Sequence, residues 1–342
     1  MATERLVTNS ALEAEEPLNW SLRPGHLGEY VGQRDLVTRL QIAIEASRNR
    51  REPMEHVLLF GPPGLGKTTL AHVIGAEMGT RVYVTSGPAL SRGTDLVSAL
   101  TKLEQGDILF IDEIHRLPIA VEEFLYPAME DFRIDVPVDS GLHARTVQIA
   151  LKPFSLIGAT TRAGLVSAPM RSRFGLTDQL RFYSEQELLT ILTRSARLLN
   201  LTNVSGEALL AIAARSRGTP RIANRLLRRV RDFAQVRAGG SISPKVVAEA
   251  LQLEGVDGLG LDKLDRQYLK IIATTYEGGP VGLEAVAATM SEDAGTLEDM
   301  VEPFLLQLGF VARTKRGREL TKAGAEHIGV AYAPKPASMF GE

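Results

Sequence analysis

The chain has 342 residues, enough for two or three domains with real cores, and an ordinary hydrophobic share of 44%. It has no cysteine, which excludes a disulfide framework and a cysteine-based zinc site, and its net charge of −2 means that a nucleic-acid partner would need a local basic surface. No apolar run approaches the roughly 18 residues of a membrane span, and Glu13, Glu15 and Glu16 near the start do not resemble a signal peptide, so the expectation is a cytoplasmic protein with no membrane role.

Residues 1–18 read as a flexible polar arm, followed by Trp20 as a local core anchor. Arg23-Pro24 breaks any helix. Glu29 to Gln33 reads as a turn, and Leu36, Leu40, Ile42 and Ile44 then predict an amphipathic helix. Apolar or β-branched runs at Val57 to Phe60, Val82 to Thr85, Ile108 to Ile111, Ser155 to Ala159 and Gln179 to Tyr183 predict strands. Helices are expected up to Met78, from Asp95 to Leu103 and from Pro118 to Met129. Strands alternating with helices imply a parallel sheet covered on both faces. Between Phe132 and Phe154 the pattern changes: Ile134, Val136 and Val138, then Val147, Ile149 and Leu151, alternate around Asp139-Ser140-Gly141, which predicts an inserted β-hairpin over 133–152.

From Ser184 to Leu253 the signal is helical, punctuated by Gly206, Gly218-Thr219-Pro220 and Gly239-Gly240. Between Arg215 and Arg237 there are eight arginines and one acid, Asp232; Arg221, Arg225, Arg228 and Arg229 share one side while Ile222, Leu226, Val230 and Phe233 pack inward. Val256 to Gly260 is a linker candidate. Helices near 262–275, 282–290 and 296–308, then a ribbon around the basic stretch Arg313 to Arg318, form the pattern of a winged helix. The tail from 331 is expected to be disordered. The domains are therefore placed at 19–183, 184–256 and 257–330: an α/β P-loop domain with a parallel sheet, an all-α lid and a winged-helix DNA-binding domain.

The chemistry is concentrated in Gly61-Pro62-Pro63-Gly64-Leu65-Gly66-Lys67-Thr68-Thr69, a complete G-x-x-x-x-G-K-T loop between a strand and a helix. Its backbone N–H groups and the following helix's positive end converge on a phosphate. Lys67 is expected to bridge the β- and γ-phosphates and Thr68 to ligate Mg²⁺. Asp112, ending an apolar strand, would hold the metal through water, and Glu113 would orient or deprotonate the attacking water. Thr161 also ends an apolar strand, where it would sense the γ-phosphate or cap a helix. Arg171 and Arg173 stand beside the aromatic Phe174; on the residues alone they read as a surface ion pair, and the other reading is an arginine donated to a neighbouring subunit's γ-phosphate. His115 is assigned no chemistry. Arg313, Lys315, Arg316 and Arg318 stand on a short turn, well placed for phosphates, with no interleaved aromatic, so binding should be sequence-independent and salt-sensitive.

These residues, with LFIDEIHRL, EEFLYPAMEDF, IGATTRAG, RSRFG, GTPRIANRLLRRVRD, GGPVGL and EPFL, resemble the RuvB family of bacterial AAA+ motors from about Arg23 to Gly329. The resemblance implies an ATP hydrolase, a translocase of the helicase kind, that drives Holliday-junction branch migration in recombination, DNA repair and the SOS response, with ATP and Mg²⁺. It implies that Arg173 is an arginine finger acting in trans, that Arg221 is the lid's sensor arginine, and that Leu22, Arg23 and Tyr183 line the adenine pocket. It further implies nucleotide contacts for Gly64, Gly66, Thr69, Glu130, Asp131 and Phe132, and DNA contacts for Arg313 and Arg318. Implied partners are double-stranded DNA at four-way junctions, a RuvA-like protein docking on the hairpin, a RuvC-like resolvase and five further copies in a homo-hexamer. The hairpin turn, VPVDSGLHARTVQ, and the loop Ser291 to Thr296, which lacks a basic residue, depart from the family pattern. The alternatives are a clamp-loader-like or other AAA+ remodeller and an ATP-switched DNA-binding regulator; stimulation of hydrolysis by duplex or junction DNA separates them.

Overall fold

The computed structural model describes residues 21–137 and 146–332. The polar arm, Trp20, the hairpin turn and the tail beyond 332 lie outside the described residues. Two compact units emerge: Met1–Tyr183 with Thr193–Leu201, and Ser184–Leu192 with Thr202–Glu342.

The first unit opens with α1 (Arg34–Arg50), which buries Leu36, Leu40, Ile44 and Ser47 along one stripe. Ile42 points outward at 64% exposure, against the sequence expectation, because it lies two residues from Leu40 and Ile44 and so falls on the far side of the helix. The strand β1 (Val57–Phe60) leads through the glycine-rich loop to α2 (Lys67–Met78). Then come β2 (Val82–Ser86), α3 (Gly93–Leu100), β3 (Ile108–Asp112) and α4 (Ile119–Glu130). The hairpin strands β4 (Arg133–Pro137) and β5 (Thr146–Ala150) pair Ile134 with Ile149 and Val136 with Val147. They are followed by β6 (Ser155–Thr160), α5 (Ala168–Arg171) and β7 (Leu176–Gln179).

Five parallel strands run in the order β2-β3-β6-β1-β7. Strands β1, β3 and β6 are apolar because the sheet centre is covered on both faces. Leu58, Leu109, Ile111 and Leu156 pack with Leu96, Leu100 and Leu125 in one core. The last strand corrects the expectation of Gln179 to Tyr183. β7 is an edge strand whose residues alternate between half-buried and exposed, so a search for apolar runs passes over it. Leu180 and Tyr183 are buried just beyond it.

In the second unit, α6 (Glu185–Leu198) starts the helical region and crosses the division between the units. α7 (Gly206–Ala214), α8 (Pro220–Arg237) and α9 (Pro244–Leu253) follow, with Ser205 and Ser243 capping the first and third through Ala208 N and Val246 N. Such caps contribute about 1 kcal/mol each. α8 buries Ala223, Leu226, Leu227, Val230 and Ala234. Arg228 is also buried on this face, whereas Ile222 and Phe233 are only half-buried, which shifts the expected apolar stripe.

The same unit contains α10 (Lys263–Thr274), α11 (Leu283–Met290), a short α12 (Ala294–Thr296) that passes through a π turn into α13 (Glu302–Gln307), the ribbon β8 (Val311–Thr314) and β9 (Gly317–Leu320), and α14 (Lys322–His327). Tyr268, Ile272, Val286, Leu297, Leu305, Val311 and Leu320 make its core. The architecture is thus a P-loop α/β sheet, an all-α lid and a winged helix, as the sequence predicts. Among the described residues no helix is long and apolar enough to cross a membrane.

Candidate nucleotide site and wing surface

The strand register sets the site. Phe60 is level with Thr160 on one side of β6, and Ile111 with Gly158 on the other. The glycine-rich loop, Asp112 and Thr161 therefore leave the sheet at the same carboxyl edge, where ligands of open parallel sheets bind. Gly61 shows why the loop needs glycine. Its φ is +137°, and a Cβ there would lie 2.6 Å from the carbonyl oxygen of Leu180. Gly64 and Gly66 also have positive φ, and Gly66 caps α2.

Lys67 is 8% exposed and folds back on the loop, its Nζ donating to the carbonyls of Gly61 at 2.7 Å and Pro62 at 3.0 Å. The hydroxyls of Thr68, Thr69 and Thr161 make no hydrogen bond among the described residues. Asp112 Oδ1 accepts from Glu113 N at 2.9 Å. Glu113 adopts a left-handed φ of 48°, a conformation that costs a non-glycine residue about 1 kcal/mol or more. Its Oε2 accepts from Arg116 Nη1 at 3.0 Å.

Among the described residues no group of three or more His, Cys, Asp or Glu side chains could hold a metal. Of the hydroxyls and carboxylates at this edge, those of Thr68 and Asp112 are the ones that the sequence motif assigns to a metal. This set fits Mg²⁺, which takes few protein ligands and shares its shell with water and phosphate oxygens.

Thr160 and His115 form a pair that the sequence did not flag. Thr160 is fully buried, its Oγ1 lies 2.8 Å from His115 Nδ1, and it accepts from Arg162 N at 2.9 Å. Thr160 therefore ties down the turn after β6, leaving its neighbour Thr161 for other partners.

Two tyrosines lie beside the loop, their hydroxyls 3.1 Å (Tyr30) and 3.9 Å (Tyr183) from where a Cβ on Gly66 would sit. Tyr183 donates its hydroxyl to Leu65 O at 3.2 Å, and its Oη also lies 3.2 Å from Tyr30 Oη. Burial, with Tyr183 beside it, raises the Tyr30 phenol well above its usual range. Leu22 is buried, and the carbonyl of Arg23 accepts from Arg194 at 2.7 Å. Gln33 clamps Arg181 at two points, donating to its carbonyl at 2.7 Å and accepting from its N–H at 3.1 Å.

Arg173 is held on three sides. Its guanidinium lies 4.1 Å from the ring centroid of Tyr126, pairs with Glu130 at 3.2 Å and donates to Pro169 O at 2.6 Å. Glu130 is thus a partner of Arg173, Asp131 pairs with Arg133 at 3.2 Å, and Phe132 packs edge-on against Phe154. Arg221, on the first turn of α8, is exposed in the second unit.

His56 was also missed. Its Nδ1 accepts from Leu156 N at 2.9 Å and its Nε2 lies 3.0 Å from Met129 O, so the neutral ring links α4 to β6. Burial lowers its pKa.

On the wing, Arg313 and Arg318 are cross-strand partners rather than turn residues. Both converge on Glu302, which is fully buried and also accepts from the Tyr268 hydroxyl at 2.5 Å. Arg318 Nε donates to Glu302 at 2.7 Å and Arg313 Nε at 2.9 Å. Burial opposes the charge on Glu302, but hydrogen bonds from Arg318, Tyr268 and Arg313 outweigh it and lower the pKa. The turn itself consists of Lys315 and Arg316, both exposed and with no ion pair among the described residues.

Three family profiles cover the chain. "Holliday junction DNA helicase RuvB P-loop domain" matches residues 22–180, "RuvB AAA lid domain" 183–257 and "RuvB C-terminal winged helix domain" 258–329. The Holliday junction branch migration complex subunit RuvB of Kosmotoga olearia is 53% identical over 96% of this chain and 95% of its own length. The protein of that description from Desulfosudis oleivorans is 56% identical over 92% and 91%. The solved RuvB Holliday junction branch migration motor of Thermotoga maritima is 48% identical, with a TM-score of 0.85 over 92% of this chain and 100% of that one.

Proposed function

The chain belongs to the RuvB family, and on that premise we propose that it is the ATP-hydrolysing motor that drives branch migration of Holliday junctions. The observation that carries this reading is the common sheet edge shared by the glycine-rich loop with its buried Lys67 and the Asp112–Glu113 pair, in a chain that also has a winged helix with a basic turn. Family membership sets aside the clamp-loader-like and regulator readings.

In this proposal residues 19–183 are the ATPase domain, 184–256 the lid and 257–330 the DNA-binding domain. Lys67 exchanges its loop carbonyls for the β- and γ-phosphates, and the α2 amides face the β-phosphate. Thr68, and Asp112 through water, would hold Mg²⁺, which neutralises charge on the phosphate oxygens when bound. Glu113 leaves Arg116 to take a proton from the attacking water, which Thr161 orients. Leu22, Arg23 and Tyr183 flank the adenine. Arg173 reaches the next copy's nucleotide from the surface that Glu130, Asp131 and Phe132 share, and Arg221 reads the γ-phosphate from the lid. A homo-hexameric ring, a RuvA-like partner on the β4–β5 hairpin and a RuvC-like resolvase complete the proposed assembly.

The test is ATP-dependent movement of a synthetic four-way junction, with and without a RuvA-like protein. Separation of the junction into duplex products that stops in a Lys67→Ala variant is the expected result. A static junction with ATP left intact, at concentrations where the protein is assembled, overturns the proposal.

A further inference from the structure

The turn before α8 is fastened to the winged helix by a residue that the nucleotide chemistry does not use. Arg217 is 8% exposed and sits at a left-handed φ of 52°, four residues before Arg221. Its guanidinium satisfies four acceptors. Nε donates to Gly260 O at 2.8 Å, Nη1 to Asp265 Oδ1 at 3.3 Å, and Nη2 to Asp265 Oδ2 and to Asp262 at 2.7 Å. Its carbon end lies 5.5 Å from the ring centroid of Phe304, a core residue of the winged domain.

Both carboxylates belong to the start of α10. Asp262 caps the helix, accepting from Leu264 N at 2.9 Å and Asp265 N at 3.1 Å, and Asp265 returns the bond by accepting from Asp262 N at 2.8 Å. Asp265 is fully buried. The connector is braced as well. Gly260 has φ +90°, and a Cβ there would meet Arg215 O at 2.6 Å, so the two turns touch backbone to backbone. Arg266 donates to Gly255 O at 2.7 Å and Leu261 O at 2.6 Å. The presumed linker is therefore a packed joint, and a bidentate guanidinium fixes angle as well as distance.

We propose that Arg217 is a positioning residue that locks the Arg221 turn to the first helix of the winged domain, so that lid and wing move as one body. This rests on the motor reading for its consequence but not for its geometry. Displacement of Arg221 by a nucleotide then reaches the wing without loss in the connector. A flexible linker at Val256 to Gly260 would absorb the same displacement.

The absence of cysteine from the chain allows a clean distance measurement. Glu249→Cys on α9 and Lys322→Cys on α14, whose native side chains are 52% and 74% exposed, carry nitroxide labels. The labelled full-length protein is diluted with unlabelled copies and measured with ADP and with a non-hydrolysable ATP analogue. The expected result is one narrow distance, equal in both nucleotide states, that broadens in Arg217→Lys. That variant keeps the charge, and so the fold, but loses the fork. A distance that shifts between nucleotides in the parent, or that stays as narrow in Arg217→Lys, overturns the proposal. Arg217→Lys should also lower the junction length moved per ATP by about fivefold while ATP turnover is retained; an equal fall in both overturns it. If the parent moves no junction, the motor reading fails and the distance result still decides the role of Arg217.

Discussion

Arg173 lies over Tyr126, with 4.1 Å between the guanidinium carbon and the ring centroid, and its other edge pairs with Glu130. The guanidinium is thus held in one orientation, as the proposed action on a neighbouring copy's nucleotide would require. A stack of this kind contributes about 0.5–2 kcal/mol. Tyr126→Leu should reduce ATP turnover of the assembled protein by about two- to thirtyfold, with little change in nucleotide affinity. Steady-state kinetics beside a fluorescent-nucleotide titration checks this. An equal loss of affinity would count against an aiming role.

Lys67 donates to the loop carbonyls of Gly61 and Pro62, neither of them charged. Lys67→Ala should keep its thermal midpoint and lose about 10- to 100-fold in ATP affinity, the range of one or two charge-assisted hydrogen bonds. Calorimetric titration with ATP and a melting curve give the two readings.

His56 makes stability depend on pH. Protonating Nδ1 would set it against the Leu156 N–H that it accepts from, and burial already lowers its pKa, with Met129 O and Glu55 opposing. His72 is lowered in the same direction by burial and by Arg23. Below the unfolded pKa of about 6.5 the unfolded chain binds more protons than the folded one. Stability from these groups is therefore complete above that value and falls as pH drops toward their folded pKa values. Melting curves from pH 8 to 5 should show the fall, and His56→Gln should flatten it.

The wing arginines and the wing turn should separate experimentally. Glu302 is buried beneath Arg313 and Arg318, so Glu302→Gln breaks a buried ionic cluster, at a cost of about 3–5 kcal/mol. Arg313→Ala, at an exposed side chain and with Arg318 still paired to Glu302, should lower the melting point less. Lys315→Ala and Arg316→Ala remove no ion pair among the described residues and should leave the melting point unchanged. Each should instead lower the slope of log affinity for DNA against log salt by about 1. Equilibrium binding at several salt concentrations, beside thermal unfolding, distinguishes the two classes.

The nucleotide loop was legible because Val57 to Phe60 and the helix after Gly66 frame it with strong local signals. The hairpin was legible because Ile134 and Val136 alternate in register with Ile149 and Val147. What escaped depends on partners distant in sequence. β7 carries one large apolar residue, and its strand character comes from pairing with β1. His56 gains meaning only from Met129 and Leu156, and Arg217 only from Asp262 and Asp265. Arg313 and Arg318 looked like turn residues until the ribbon register placed them opposite each other.

The Gln33–Arg181 clamp has a consequence for self-association. β7 ends the sheet, and a bare backbone rim there would invite another chain to zip on without limit. Just past that strand, one carboxamide answers both the N–H and the carbonyl of Arg181, imitating a peptide unit of a strand that is not there. With both groups of Arg181 already satisfied, the end of this rim offers an incoming strand no open peptide unit at that residue.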